Sequence, residues 1–175
     1  MTIPLTGTQY DIEAGDYRAT VTELGAGLRE LKFTGTPLVT SYDADQLPPH
    51  GAGQLLTPWP NRVDGGRYSF GGTEYQLALS EPASGNAIHG LTRWIPWTRV
   101  THDRSEVTLR SVPHGQQGYP FAVQVHLTYR LNAWWGSAAA SSPPATACCA
   151  VCCSRCACSA ARFPAAPGPY GWPIG

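Results

Sequence analysis

A chain of 175 residues, 42% of them hydrophobic, is long enough to bury one ordinary core, and its twelve basic side chains balance twelve acidic ones. Zero formal net charge removes any electrostatic case for a nucleic-acid or anionic-membrane partner, so the expected partner is small and neutral. The opening MTIPLTGTQYDIEAG has no basic n-region or apolar h-region, and no stretch approaches the roughly 18 apolar residues of a membrane span, which predicts a soluble cytoplasmic protein.

In chain order, DYRATVTEL and LRELKF read as strands separated by the turn GAG, and FTGTPLV supplies a further turn. RYSF and TEYQLAL flank Gly71 and Gly72, a pair suited to the positive φ angles of a tight hairpin. WIPWTRVT and EVTLRSV follow. The clearest segment is FAVQVHLTYRL, in which Phe121, Val123, Val125, Leu127, Tyr129 and Leu131 alternate with Ala122, Gln124, His126, Thr128 and Arg130. No long stretch keeps a 3.6-residue apolar stripe. Short strands and frequent turns predict an all-β protein, an antiparallel sandwich or barrel.

The chain changes character after Asn132. Residues 133–175 hold all six cysteines, no Asp or Glu, and only Arg155 and Arg162 as charges. Val151 and Ile174 are their only branched aliphatics, so no helical or strand period can be traced. This composition predicts a disordered, low-complexity tail of the kind a GC-rich gene yields when read in the wrong frame. Cys149 with Cys152 and Cys153 with Cys156 form two C-x-x-C units, but they abut, whereas paired units in zinc sites normally sit a dozen or more residues apart. A disulfide scaffold would spread its cysteines through the fold, and residues 1–132 have none.

Chemistry is therefore expected in two loops. LLTPWPNRVDGGRYSF carries Asn61 and Arg62 after a proline-stiffened turn, beside Trp59; SGNAIHGLTRWIPW carries Asn86, His89 and Arg93, followed by Trp94 and Trp97. Asn, Arg and His match the paired donors and acceptors of a polyol, and tryptophan faces suit the C–H face of a sugar ring, so the set points to a carbohydrate site. Each residue also has a plainer reading: His89 as a cap of backbone groups in a glycine-bounded turn, Arg62 as a partner of Asp64 or another surface carboxylate, Trp94 and Trp97 as packing.

The ordered motifs PWPNRVDGGRYSFGGTEYQL, NAIHGLTRW and GYPFAVQVHLTYRL resemble the front half of the aldose 1-epimerase (galactose mutarotase) family, over about residues 5–132. The resemblance implies a galactose mutarotase-type antiparallel β-sandwich, with residues 1–132 as its N-terminal part and 133–175 as the tail. It also implies interconversion of the α and β anomers of a hexose, with His89 near the sugar ring oxygen, Arg62 on substrate hydroxyls, and Asn61 and Asn86 shaping the site. No metal or organic cofactor is implied. The HGLTRW form is more like the bacterial branch of diverse hexose epimerases, which leaves the sugar open, phosphorylated or not.

The family's second histidine, in an H-P-Y-like motif, and its late glutamate have no counterpart here, so this chain is expected to be impaired. A sugar-binding module without turnover and, ranked below it, a cysteine-rich metal-binding product are the alternatives. The frameshift reading predicts that the nucleotide sequence past codon 132, shifted by one base, restores an H-P-Y motif and a late glutamate; an open frame lacking both would refute it.

Overall fold

The computed structural model describes residues 4–133 and the backbone of 136–141. Among them strands dominate, and the helical turns are short 3₁₀ segments at Pro49–Gly51, Asp64–Gly66 and Pro82–Ser84. The strands are β1 (Gln9–Ala14), β2 (Tyr17–Thr22), β3 (Leu28–Phe33), β4 (Thr36–Pro37), β5 (Arg62–Val63), β6 (Arg67–Phe70), β7 (Thr73–Gln76), β8 (Ala87–Ile88), β9 (Thr98–His102), β10 (Glu106–Ser111), β11 (Val125–Leu131) and β12 (Gly136–Ser141). One four-stranded sheet has the order β1-β2-β3-β4 and a second the order β12-β11-β10-β9, while β5 pairs with β8 and β6 with β7. Every pairing is antiparallel.

The two larger sheets bury their facing sides in a common core. Tyr10, Ile12, Ala19, Val21 and Leu31 come from the first sheet, and Val107, Leu109, Val125, Leu127, Tyr129 and Leu131 from the second. The period-two pattern of β11 is realised in full: Val125, Leu127, Tyr129 and Leu131 are buried, while His126 and Thr128 are half-buried and Arg130 is exposed. The Tyr129 hydroxyl donates to the Ala26 carbonyl at 2.8 Å, which satisfies the one polar end of that apolar face. Two bonds across the open ends also join the sheets, Glu13 N–H to the Arg104 carbonyl at 2.6 Å and a His102 ring nitrogen to the Asp11 carbonyl oxygen at 2.8 Å.

The β6–β7 hairpin forms where the glycine pair predicts it, with φ of 60° at Gly71 and 78° at Gly72, angles that a side chain would disfavour. One of its faces is aromatic: Tyr68 and Tyr75 stack at 5.1 Å, and Phe121 packs edge-on against Phe70, Tyr75 and Tyr119. Phe121–Gln124 thus leave the strand that alternation predicts for them. Pro120 precedes them and lacks a donor for a ladder, and the Val123 N–H goes to the Pro113 carbonyl at 3.3 Å.

β1 was not among the expected strands, although Tyr10 and Ile12 point inward at alternate positions, because Gly15 ends the pattern after three inward sites. The second sheet also runs past the compositional boundary at 132: β12 pairs with β11 from Leu131↔Gly136 to His126↔Ser141. Glycine, alanine and serine carry no polarity contrast, so their sequence gives no period to read. Residues 1–3, 134–135 and 142–175, with all six cysteines and the C-x-x-C units, lie outside the described residues.

Leu127 is fully buried between the sheets. Leu127→Ala should cost about 2–5 kcal/mol in urea denaturation, whereas Thr128→Ala on the opposite face of the same strand, losing a hydroxyl pair with Thr108, should cost about 1 kcal/mol. Similar losses for both would contradict the inward and outward assignment of β11.

Candidate functional site

The two predicted loops run antiparallel to each other on one edge of the sandwich. Arg62 pairs with Ile88 and Val63 with Ala87, and the lacing continues beyond these short strands. The His89 N–H donates to the Asn61 carbonyl at 2.9 Å, and the Leu91 N–H to the Thr57 carbonyl at 2.8 Å. Farther along, the buried Thr92 hydroxyl bridges to the Leu55 and Thr57 carbonyls at 2.9 and 3.2 Å. Leu55 and Trp97, whose indole N–H donates to the Thr92 carbonyl at 3.4 Å, both belong to the core, so the loops are anchored in the sandwich.

Backbone conformation at this seam is unusual. Asn61 and His89, hydrogen-bonded across it, both adopt left-handed angles, with φ of 56° and 64°. Such angles cost a non-glycine residue free energy and persist only where surrounding contacts over-determine them. Gly90 follows His89 at φ 66°, and a Cβ there would lie 2.1 Å from the Thr57 carbonyl oxygen, so only glycine lets the strands close.

Four predicted residues meet on this seam. Arg62 projects from β5 and grips Glu81 with two parallel bonds, Nε to Oε2 and Nη2 to Oε1, each 2.6 Å. Its Nη1 reaches the Asn61 side-chain oxygen at 3.4 Å. Asn86 is tied to the Glu81 backbone by reciprocal bonds of 2.9 and 3.2 Å, and its side-chain oxygen accepts the Gly65 N–H at 3.2 Å. His89 is half-buried, and its Nδ1 is shielded from solvent with no hydrogen-bond partner. An unpaired buried polar nitrogen carries a desolvation cost.

Burial pushes the His89 imidazole below its usual range, and the Arg93 and Arg62 guanidiniums push it further; Glu81 opposes them. Neutral imidazole is therefore the form held near pH 7. Arg93 is half-buried and lies 5.5 Å from the Trp94 ring centroid, and burial lowers its basicity too. The indole N–H of Trp59, like His89 Nδ1, is buried without a partner, and its ring packs against Tyr119 at 5.9 Å.

Of the plainer readings, Trp97 is a core residue, 1% exposed, whereas Trp94 is 47% exposed beneath a cation. The partner of Arg62 is Glu81, not Asp64. Glu81 is the site residue that sequence reasoning missed: it stands 19 positions from Arg62, and nothing in the local pattern links the two. A groove of about 800 Å³ next to this face is lined by Asp64, Gly65, Arg67, Gln76, Leu77, Leu79 and Gly85; His89 and Arg62 stand outside its lining. Among the described residues, no group of three or more His, Cys, Asp or Glu is placed to share a metal ion, and no helix is long and apolar enough to cross a membrane.

A solved structure defines the architecture: the GalM/aldose epimerase homologue from Caenorhabditis elegans superposes with a TM-score of 0.63 at 21% identity, covering 71% of this chain and 42% of that one. The fold is an antiparallel β-sandwich of the galactose mutarotase type. The family model for aldose 1-epimerase matches residues 8–134, and the chain belongs to that family. Escherichia coli K12 YihR, an uncharacterized protein, is 41% identical over 127 residues, which cover 73% of this chain and 41% of YihR. Mouse galactose mutarotase is 36% identical over 76 residues, 41% of this chain and 21% of the mouse protein. The chain thus spans about two fifths of the length of YihR and less of the mouse enzyme.

Because the folded-state midpoint of His89 lies below that of the unfolded chain, unfolding takes up a proton on acidification, and the stability this group contributes is full above about pH 6.5 and falls below it. Wild-type protein should accordingly lose more stability between about pH 7.5 and 5.5 than His89→Asn does, measured as the shift in urea midpoint. Equal shifts in the two proteins would show that His89 is not desolvated. Gly90→Ala, in turn, should destabilise by at least about 1 kcal/mol at either pH.

Proposed function

We propose that the seam between β5 and β8 is the sugar-facing half of an aldose 1-epimerase site, on which a hexose changes anomer by ring opening and closure. The observation that carries this reading is the hydrogen-bonded seam itself, which holds the half-buried His89 imidazole beside the Arg62 and Arg93 guanidiniums on a strained backbone. Anomer exchange needs one group to take the proton from the anomeric hydroxyl and another to protonate the ring oxygen. The C1–O5 bond then breaks, the C1–C2 bond rotates, and the ring recloses on the other face of the carbonyl.

His89 is the group we assign to proton transfer at the ring oxygen. A histidine whose pKa lies under its usual value is a stronger acid once protonated, which favours delivery to a weakly basic ether oxygen. Arg62 donates to substrate hydroxyls with the N–H groups that Glu81 leaves free, and Asn61 and Asn86 hold the two sides of the site in register. The substrate is a hexose bound without a cofactor.

We propose further that this chain by itself turns over slowly. Beyond Glu106 the sequence contains no carboxylate side chain, and its H-P-Y motif is missing, so the acid/base set holds one imidazole and no evident base. The alternative sugar-binding module has no observation of its own in its favour.

Polarimetry on α-galactose tests both parts. A small acceleration over buffer is expected, abolished in His89→Ala, with mouse galactose mutarotase assayed alongside running at least about 10²-fold faster. A His89→Ala protein as active as wild type would sink the role of the imidazole. A rate matching the mouse enzyme would sink the impairment.

A further inference from the structure

Glu81 is joined to two residues of the seam, to Asn86 through its backbone and to Arg62 through its carboxylate. Its backbone exchanges hydrogen bonds with Asn86, closing a six-residue loop around the Pro82–Ser84 turn. Its carboxylate receives both Nε and Nη2 of Arg62 at 2.6 Å and is also reached by the Ser84 hydroxyl. The charged groups that face His89 are Arg93 from the turn after β8, Arg62 from β5 and Glu81 from the loop before β8; Glu81 is the acidic one. The field at the imidazole is therefore two cations against one anion.

The geometry of the pair also decides what Arg62 can offer. A guanidinium has five N–H donors in a fixed plane. Glu81 takes one from Nε and one from Nη2, and Asn61 takes one from Nη1, which leaves two on the outer edge. With its long stem locked and its charge already met by a carboxylate, such a guanidinium presents a rigid fork to neutral hydroxyls. A free arginine would lose rotamer freedom on binding and would favour an anion instead.

We propose that Glu81 is the positioning residue of this site: its carboxylate fixes the outer edge of Arg62 for hydroxyl recognition and balances the cations around His89. The proposal rests on the reading of Arg62 and His89 as sugar-facing groups and adds a residue that acts through both. A merely structural ion pair on this exposed edge would contribute little, and its loss would leave galactose binding unmoved.

The test uses the full chain and two readouts: the titration of the His89 ring followed by heteronuclear NMR, and calorimetric binding of D-galactose. Glu81→Gln removes the anion but keeps an acceptor; the His89 midpoint should move down, because two cations then act unopposed, and galactose should bind about tenfold more weakly. Glu81→Asp keeps the charge on a stem too short to span Nε and Nη2; it should restore the midpoint towards wild type while binding stays weak. Arg62→Gln should move the midpoint up, which preserves the test if Glu81→Gln fails to fold. A midpoint unchanged in Glu81→Gln, or lowered in Arg62→Gln, would overturn the proposal. Should the wild-type chain bind no galactose, the sugar site itself fails, and the midpoints alone then decide whether Glu81 governs His89.

Discussion

One backbone hydrogen bond, from His89 N–H to the Asn61 carbonyl, holds the rest of the site in place. Both of its residues sit in left-handed conformations, so the bond forms only while neighbouring contacts hold them there. Gly90 lies flat against Thr57, the Thr92 hydroxyl gathers two carbonyls, and Trp97 and Leu55 tie the ends into the core. Strain at the seam is thereby balanced against burial in the sandwich.

Charge is arranged on this frame with equal economy. Arg62 is pinned by Glu81, Arg93 leans on the Trp94 ring, and His89 is kept neutral by burial and by both cations. Two of the buried polar atoms without partners among the described residues, His89 Nδ1 and Trp59 Nε1, belong to these loops. The family relationship gives this arrangement a chemical setting, and the sugar chemistry is our reading of it.

The strand ladders were legible because a sandwich writes its two faces into alternate residues. β11 is the clear instance, and the glycine pair between β6 and β7 is another, since few residues tolerate two positive φ angles in succession. Legibility failed where polarity contrast was lacking or a local break intervened. β12 is built from glycine, alanine and serine, β1 is cut off by Gly15, and Phe121–Gln124 follow a proline into an aromatic cluster. The two-residue strands β5 and β8 are too brief for any period, yet they carry the candidate site.

Sequence alone determined the all-β class and the inward-facing positions of its longest strand, and it singled out Asn61, Arg62, Asn86 and His89 as candidates, because periodicity and motif order are local properties. Tertiary structure decided the partner of Arg62, the left-handed pairing of Asn61 with His89 and the charges that surround the imidazole. Those depend on residues many positions apart being brought to hydrogen-bond distance, and through-space electrostatics falls off with separation in ångströms, not in residues.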